Sequence, residues 1–219
     1  MSLLGFSLFT DTLPDVSIEL NGALRISISD ITQGKGSALV FAGKINAGTV
    51  QNGQLLVVCP NNVTCVVKSI VVGGMVRPWA IAGQNAEITV GGIDETAASV
   101  GNVLCPADFP IPLVSKLRAQ IIVFEPEVPL TKGFSVLFHT QQLSKPAILR
   151  KLLSITDRKT GEVLKKKPRC LVRNVSAVVE IIFEAPICIE LYSVSKSMGR
   201  FMLRYGGKTI AAGVVTELR

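Results

Sequence analysis

Short apolar segments separated by glycine-containing turns constrain this chain more than any other feature. Leu24 to Ser29 alternates apolar and polar side chains, as a half-buried strand does. Glycines between the segments supply the positive φ angles that tight turns require. Short strands at such regular spacing predict a closed antiparallel β-barrel rather than alternating strand and helix units. In the first half, the predicted strands occupy residues 24–29, 38–45, 54–58, 63–72, 86–90 and 103–105.

The second half continues the all-β pattern. The segment 147–157 is long enough for a helix or a strand, and we predict a strand because Ser154-Ile155-Thr156 is β-prone. A hairpin closes the chain, with strands at 200–204 and 209–218 joined at Gly206-Gly207. The other strands predicted here occupy residues 116–124, 134–139, 175–183 and 187–192.

A proline-rich segment marks the predicted boundary between two domains. Pro106, Pro110 and Pro112 remove backbone donors and stiffen the chain. The charge changes at the same place: residues 1–108 carry 5 Lys+Arg and 8 Asp+Glu, and residues 109–219 carry 18 and 8, so the balances are −3 and +10. The basic half favours an acidic partner. We predict a lead-in at 1–15, one barrel at 16–108 and a second at 109–219.

Composition excludes several classes of protein. The apolar content of 48% supports a sizeable core, yet no apolar run approaches the ~18 residues of a membrane span. The five cysteines form no C-x-x-C pair, and the odd count is typical of a reducing compartment. His139 is the only histidine, so we predict no metal site and no Cys–His nucleophile. We expect a cytoplasmic protein without a membrane anchor.

The closing hairpin carries a distinctive series of residues: Gly199-Arg200-Phe201-x-x-Arg204, Lys208-Thr209-Ile210-Ala211 and Gly213-Val214-Val215. This series resembles the C-terminal end of the elongation factor 1-alpha family of translational GTPases. The Tyr205-Gly206-Gly207 variant is most similar to the ribosome-rescue GTPases that partner Pelota, because elongation and release-factor GTPases carry Asp at the position of Tyr205.

The resemblance extends over most of the chain. It implies two tandem antiparallel barrels of the translation-factor domain II and domain III type. The first half matches the family's second domain at Asp30, Gly34, Gly36, Gly43, Ile45, Gly48 and Gly53. The second half matches its third domain at residues 130–134, 161–168 and 186–190.

The phosphate-binding loop of the family is absent from the sequence. No G-x-x-x-x-G-K-S/T motif occurs, and Gly34-Lys35-Gly36 lacks a hydroxyl residue after the lysine. The family's GTPase domain lies N-terminal to its barrels, so GTP and Mg²⁺ are expected in that domain. We therefore predict no catalytic residues and no cofactor for this chain.

The resemblance implies partners for both barrels. A parent GTPase would carry Pelota into the empty A site of a stalled ribosome and, after hydrolysis, allow no-go and non-stop mRNA decay. The first barrel would face small-subunit rRNA, and the second would hold Pelota and brace the GTPase domain. The release-factor branch holds its partner through the equivalent hairpin segment. The predicted partner-binding residues are therefore Gly199, Arg200, Met202, Arg204 and Tyr205, while strand alternation turns Phe201 and Leu203 towards the core.

A dense basic cluster suggests a second contact. Lys165, Lys166, Lys167 and Arg169, with Lys35 in the first half, are predicted rRNA-binding residues, because cations neutralise phosphates. A solvated basic loop explains the cluster equally well.

Three other functions fit the sequence. Within the family, a release-factor GTPase would bind its release factor, and elongation factor 1-alpha would bind aminoacyl-tRNA. Outside the family, a free-standing RNA-binding β-barrel would bind RNA in a salt-sensitive way without a protein partner.

Overall fold

The computed structural model describes residues 22–34, 36–158 and 160–219. The predicted lead-in at 1–15 and Lys35 lie outside the described residues. The described chain is almost entirely β, and it forms two closed antiparallel barrels of six strands each. This confirms the predicted fold class.

The first barrel closes in the strand order β4-β9-β1-β2-β8-β5, and β4 pairs with β5 to complete the ring. Strand β6 extends the sheet beyond β5, and β3 pairs separately with β7. The strands are β1 (Arg25–Gln33), β2 (Leu39–Ala47), β3 (Thr49–Gln51), β4 (Leu55–Cys59), β5 (Val63–Val72), β6 (Met75–Arg77), β7 (Trp79–Ile81), β8 (Asn85–Gly91) and β9 (Val103–Pro106), with a 3-10 turn at Glu95–Ala97.

The second barrel closes in the order β12-β17-β18-β10-β16-β13, with β12 paired to β13. Strand β14 is added outside β13, and β11 pairs with β15. The strands are β10 (Leu113–Val123), β11 (Leu130–Thr131), β12 (Ser135–Thr140), β13 (Leu143–Thr156), β14 (Val163–Lys166), β15 (Cys170–Leu171), β16 (Ser176–Cys188), β17 (Arg200–Tyr205) and β18 (Lys208–Leu218).

Each barrel has its own apolar core, built by alternation along the strands. In β10, Leu117, Ala119 and Ile121 are fully buried, while the residues between them face outward. Aromatic rings fill the centre of the second barrel, where the ring of Phe138 stacks on Phe201 with centroids 4.5 Å apart. The apolar–polar alternation in the sequence therefore matches the buried–exposed alternation along the barrel strands.

The prediction of a separate strand at residues 187–192 is wrong. Ile187 and Cys188 are the last residues of β16, and the chain then leaves the sheet until β17 begins at Arg200. Ile189 and Glu190 are buried although they are not in a strand. The reason is tertiary, because this segment turns towards the first barrel and buries a charge there.

A buried ion pair joins the two barrels. Arg25 of β1 donates from Nε to Glu190 Oε1 at 2.8 Å, and both side chains are less than 10% exposed. The Arg25 guanidinium also donates to the carbonyl of Phe109 at 2.8 Å. The proline-rich segment between the barrels is thus held by a side chain of the first barrel.

Apolar packing surrounds this junction. Ile111 of the proline-rich segment is 4% exposed and lies among residues from both barrels. The full set is Val57, Cys59, Val103, Cys105, Ile111, Cys188 and Met198. The two barrels therefore contact each other through a small apolar core as well as through the ion pair.

A carboxylate on the outer face of β16 is covered by cations. Glu180 is 1% exposed, and its oxygens lie 3.5 Å from Lys116 Nζ, 3.6 Å from Lys151 Nζ and 3.7 Å from Arg150 Nε. Burial by itself raises the pKa of Glu180, but the charges of Lys116, Lys151 and Arg150 together lower it below its ordinary value. Glu180 therefore remains ionised and holds these side chains together.

Candidate functional site

The candidate site begins with the hairpin formed by β17 and β18. The strands pair from Arg200↔Val214 to Tyr205↔Lys208. Gly206 and Gly207 form the turn with φ angles of 56° and 79°, which side chains rarely tolerate at consecutive positions. The glycine pair thus fixes the register of the hairpin.

Strand β17 turns two sets of side chains to opposite faces. Phe201 and Leu203 are 3% and 0% exposed and belong to the core. Arg200 and Met202 are exposed on the other face, and Arg204 on that face is half-buried. This arrangement agrees with the predicted alternation, and it leaves two guanidinium groups and a flexible thioether at the surface.

The two arginines are held by contacts within the hairpin region. Arg200 donates from Nη2 to the Tyr192 hydroxyl at 3.1 Å, and its Cζ lies 5.3 Å from the centre of that ring. This hydrogen bond, with the positive charge, lowers the pKa of Tyr192. Arg204 donates to the Gly207 carbonyl at 2.8 Å. Both guanidinium groups are therefore held in place by contacts within the chain.

Gly199 and Tyr205 lie at the two ends of β17. Gly199 is buried, and a Cβ there would lie 2.4 Å from the Cα of Tyr192. Its predicted role in partner binding remains a prediction, and its evident role is to let β17 begin close to the preceding segment. Tyr205 is 47% exposed, with its ring centroid 4.9 Å from that of Phe134.

An open cleft of about 850 Å³ lies beside this face. The outward side chains of His139, Met202, Ala212 and Ile122 form a row that crosses β12, β17, β18 and β10, because these residues are paired in register. Lys44 of the first barrel lines the same cleft. We call this feature the inter-barrel cleft; its lining is Lys44, Gln120, Ile122, His139, Thr140, Gln141, Ser197, Arg200, Phe201, Met202, Ala212, Gly213 and Val214.

Comparison with known proteins places the chain in a family. Residues 116–216 match the model described as GTP-eEF1A C-terminal domain-like. The chain is 40% identical to "Protein HBS1" of Drosophila melanogaster over 90% of its length, covering 29% of that protein. The second barrel is of the GTP-eEF1A C-terminal domain-like type, and the two barrels together are HBS1-like. The recognition made from the hairpin and the glycine series is confirmed.

Other relatives of this translational GTPase family agree. Elongation factor 1-alpha of Cenarchaeum symbiosum is 32% identical over 89% of the chain and 45% of that protein. The eukaryotic peptide chain release factor GTP-binding subunit of Ogataea pini is 30% identical over 96% of the chain and 28% of that protein. The solved structure of sup35 complexed with GDP superposes with a TM-score of 0.85 at 28% identity, over 92% of this chain and 48% of that one. The chain therefore spans less than half the length of these relatives.

The predicted rRNA-binding residues of this HBS1-like chain lie apart from the hairpin. Lys165 and Lys166 are exposed on β14, and Lys167 follows them with a φ of 47°. Strand β14 pairs with β13 at Ser154 to Thr156, whereas β12 pairs with β13 no further than Ile148. Ile148 and Ser154 are six positions apart along β13, which is about 20 Å in an extended strand. Arg169 is also exposed, and rRNA binding by this cluster remains a prediction.

Buried thiols in the described chain are poor nucleophiles. Burial raises the pKa of Cys65 to about 11 and that of Cys105 to about 12. Burial likewise raises the pKa of Cys188 to about 12. Among the described residues, no group of three or more His, Cys, Asp or Glu side chains is arranged to hold a metal ion. Within the same residues, no helix has the length and apolarity needed to cross a membrane.

Sequence reasoning found the hairpin but missed the inter-barrel cleft. The hairpin is local, so its alternation and turn glycines are visible along the chain. The cleft combines Lys44 with residues near positions 120, 140, 200 and 212, and these meet only when both barrels are closed and docked. The small side chain of Ala212 is the one sign of the cleft in the sequence, and it can be interpreted only once Met202 and Ile122 are known to be its neighbours.

Proposed function

We propose that this chain is the non-catalytic C-terminal part of a GTPase that delivers a Pelota-type protein to stalled ribosomes. Its similarity to HBS1 over 90% of the chain is the observation that carries the proposal. The parent GTPase would act in the cytoplasm in no-go and non-stop mRNA decay. GTP and Mg²⁺ would bind in its GTPase domain, and the barrels would act as rigid adaptors.

The outward face of β17 supplies the chemistry for a protein partner. Arg200 and Arg204 present planar forks that bind carboxylates with two parallel hydrogen bonds. Met202 is 42% exposed between them and offers an adaptable apolar contact. Tyr205, at the end of the strand, offers an aromatic ring with a polar tip. Arg and Tyr are side chains that commonly carry binding energy in protein interfaces.

The other faces would serve the ribosome and the GTPase domain. The exposed cations Lys165, Lys166, Lys167 and Arg169 would contact rRNA phosphates, with Lys35 of the first barrel as a second contact. The distance between this cluster and the hairpin would let a protein partner and rRNA bind at the same time.

Charge reversal on β17 tests the proposal. The double variant Arg200→Glu with Arg204→Glu should weaken binding of a Pelota-type protein by about 2 kcal/mol or more, because like charges then face the partner. The matched control is Lys165→Glu with Lys166→Glu, which makes the same change in net charge on β14. Calorimetry should show reduced affinity only for the first variant, with both variants melting as the wild type does.

Two results would contradict the proposal. If the wild-type chain does not bind a Pelota-type protein, the assignment to ribosome rescue is wrong. If the folded β17 variant binds as tightly as its control, the partner surface lies elsewhere, and the Lys165–Arg169 cluster is the next to test. A parallel titration with GTP and GDP should give no saturable binding to this chain, since its sequence has no phosphate-binding loop.

A further inference from the structure

The floor of the inter-barrel cleft is formed mainly by apolar side chains of different lengths. Ala212 lies between Met202 on β17 and Ile122 on β10, because each of the larger residues pairs with it across the sheet. The next residue, Gly213, faces the core, where a Cβ would overlap Ile121 and the ring of Phe201, so the outer face here is set by Ala212. One methyl group between two long side chains leaves a depression in the outer face of the barrel, which a single apolar side chain can enter.

Positive charge lies along the rim of this depression. Arg200 is exposed on the same face of β17 as Met202, two positions before it, and Lys44 on β2 of the first barrel also lines the cleft. None of the described residues that line the cleft is Asp or Glu. The second half of the sequence also carries a balance of +10. The cleft therefore favours an anionic group beside an apolar one.

We propose that the inter-barrel cleft binds an extended acidic segment of a protein partner, inserting an apolar side chain above Ala212 with a neighbouring carboxylate between Arg200 and Lys44. The inference rests on the proposed function, because it names the part of the Pelota-type partner that this surface recognises. It adds Ala212 as a residue that sets specificity and Lys44 as a contact from the first barrel.

Nucleic acid fits this cleft less well. Its floor is mostly aliphatic: the ring of Phe201 is 3% exposed and stacked in the core, and the imidazole of His139 is a single outward ring, whereas strand-binding surfaces stack successive bases on several aromatic rings. Two cations on an apolar rim are few for a phosphate backbone, which carries a charge at every nucleotide. A protein segment with one carboxylate and one apolar side chain matches both features.

Two single substitutions test the cleft without altering β17. Ala212→Met fills the depression and leaves the charge unchanged, and its control is Val163→Met at an exposed position on β14. Lys44→Glu reverses the charge contributed by the first barrel, and its control is Lys68→Glu, an exposed lysine on β5 of the same barrel. Melting curves would verify that all four variants are folded.

Binding is measured by fluorescence anisotropy with four probes: a Pelota-type protein, a short capped peptide of alternating Asp and Leu, the same peptide with Asn in place of Asp, and a short single-stranded RNA. Ala212→Met and Lys44→Glu should each weaken binding of the protein and of the acidic peptide about tenfold, or 1.4 kcal/mol, while their controls bind as the wild type does. The Asn peptide should bind the wild type more weakly than the Asp peptide.

The outcomes separate the cleft from the proposed function. If the wild type binds the Pelota-type protein and both cleft variants bind it equally well, the cleft proposal is overturned and the proposed function stands. If the acidic peptide binds in the predicted way but the Pelota-type protein does not, the cleft proposal stands and the proposed function fails. If short RNA binds, is blocked by Ala212→Met, and the acidic peptide does not bind, the partner is nucleic acid and the cleft proposal is overturned.

Discussion

Removing one partner of the buried Arg25–Glu190 pair should destabilise the protein severely. In Glu190→Leu, the Arg25 guanidinium keeps its bonds to the carbonyls of Leu24 and Phe109 but loses its counter-ion in a site where it is 5% exposed. An uncompensated charge in such a site costs about 3–5 kcal/mol. For a chain of this length, 1 kcal/mol shifts Tm by about 2–4 °C, so we expect a loss of about 6–20 °C.

Calorimetric melting provides the assay, and the chain offers a matched control. Glu127 and Lys208 form an ion pair of 2.6 Å between side chains that are 68% and 71% exposed. Solvent screens that pair, so Glu127→Leu should change Tm little. The double variant Arg25→Met with Glu190→Leu should recover most of the lost stability, because it removes both charges. If Glu190→Leu melts no lower than Glu127→Leu, the burial argument is refuted.

Three further predictions concern single residues. Iodoacetamide at about pH 8 should modify the exposed Cys170 well before Cys105, whose pKa burial raises to about 12, and peptide mass spectrometry showing equal rates would contradict this. The pKa of Glu180 is lowered in the folded state, so its carboxylate stabilises the fold at pH values above the unfolded pKa of about 4.3, and this stabilisation is lost as pH falls. Glu180→Gln should therefore have a lower Tm than the wild type at neutral pH, and the two Tm values should converge in acid. A pH-independent difference in melting would exclude that role. Gly199→Ala should cost about 1–3 kcal/mol in chemical denaturation, because its Cβ would overlap the backbone of Tyr192, and an unchanged midpoint would show that the segment relaxes freely.

The sequence by itself determined the class of fold and most of the strands that close the two barrels. Period-two alternation and turn glycines are properties of neighbouring residues, so β1, β2, β10 and the closing hairpin were predictable within a few positions. The long segment at 147–157 was predicted as strand, and it forms the second part of β13. The hairpin also carried enough of the family's residues to identify the translational GTPases before any pairing was known.

Tertiary structure decided where charges and cavities lie. The stretch after Cys188 has the composition of a strand, yet it leaves the sheet because Glu190 meets Arg25, which is 165 positions away. The inter-barrel cleft likewise depends on Lys44 reaching the second barrel and on Ala212 being flanked by residues from two other strands. Alternation states which side of a strand is apolar, but it does not state which strands become neighbours around a closed barrel, nor which outer faces meet when two barrels dock. Those choices depend on packing summed over residues that are distant in the chain, and they brought Lys44, Arg200 and Ala212 to one cleft.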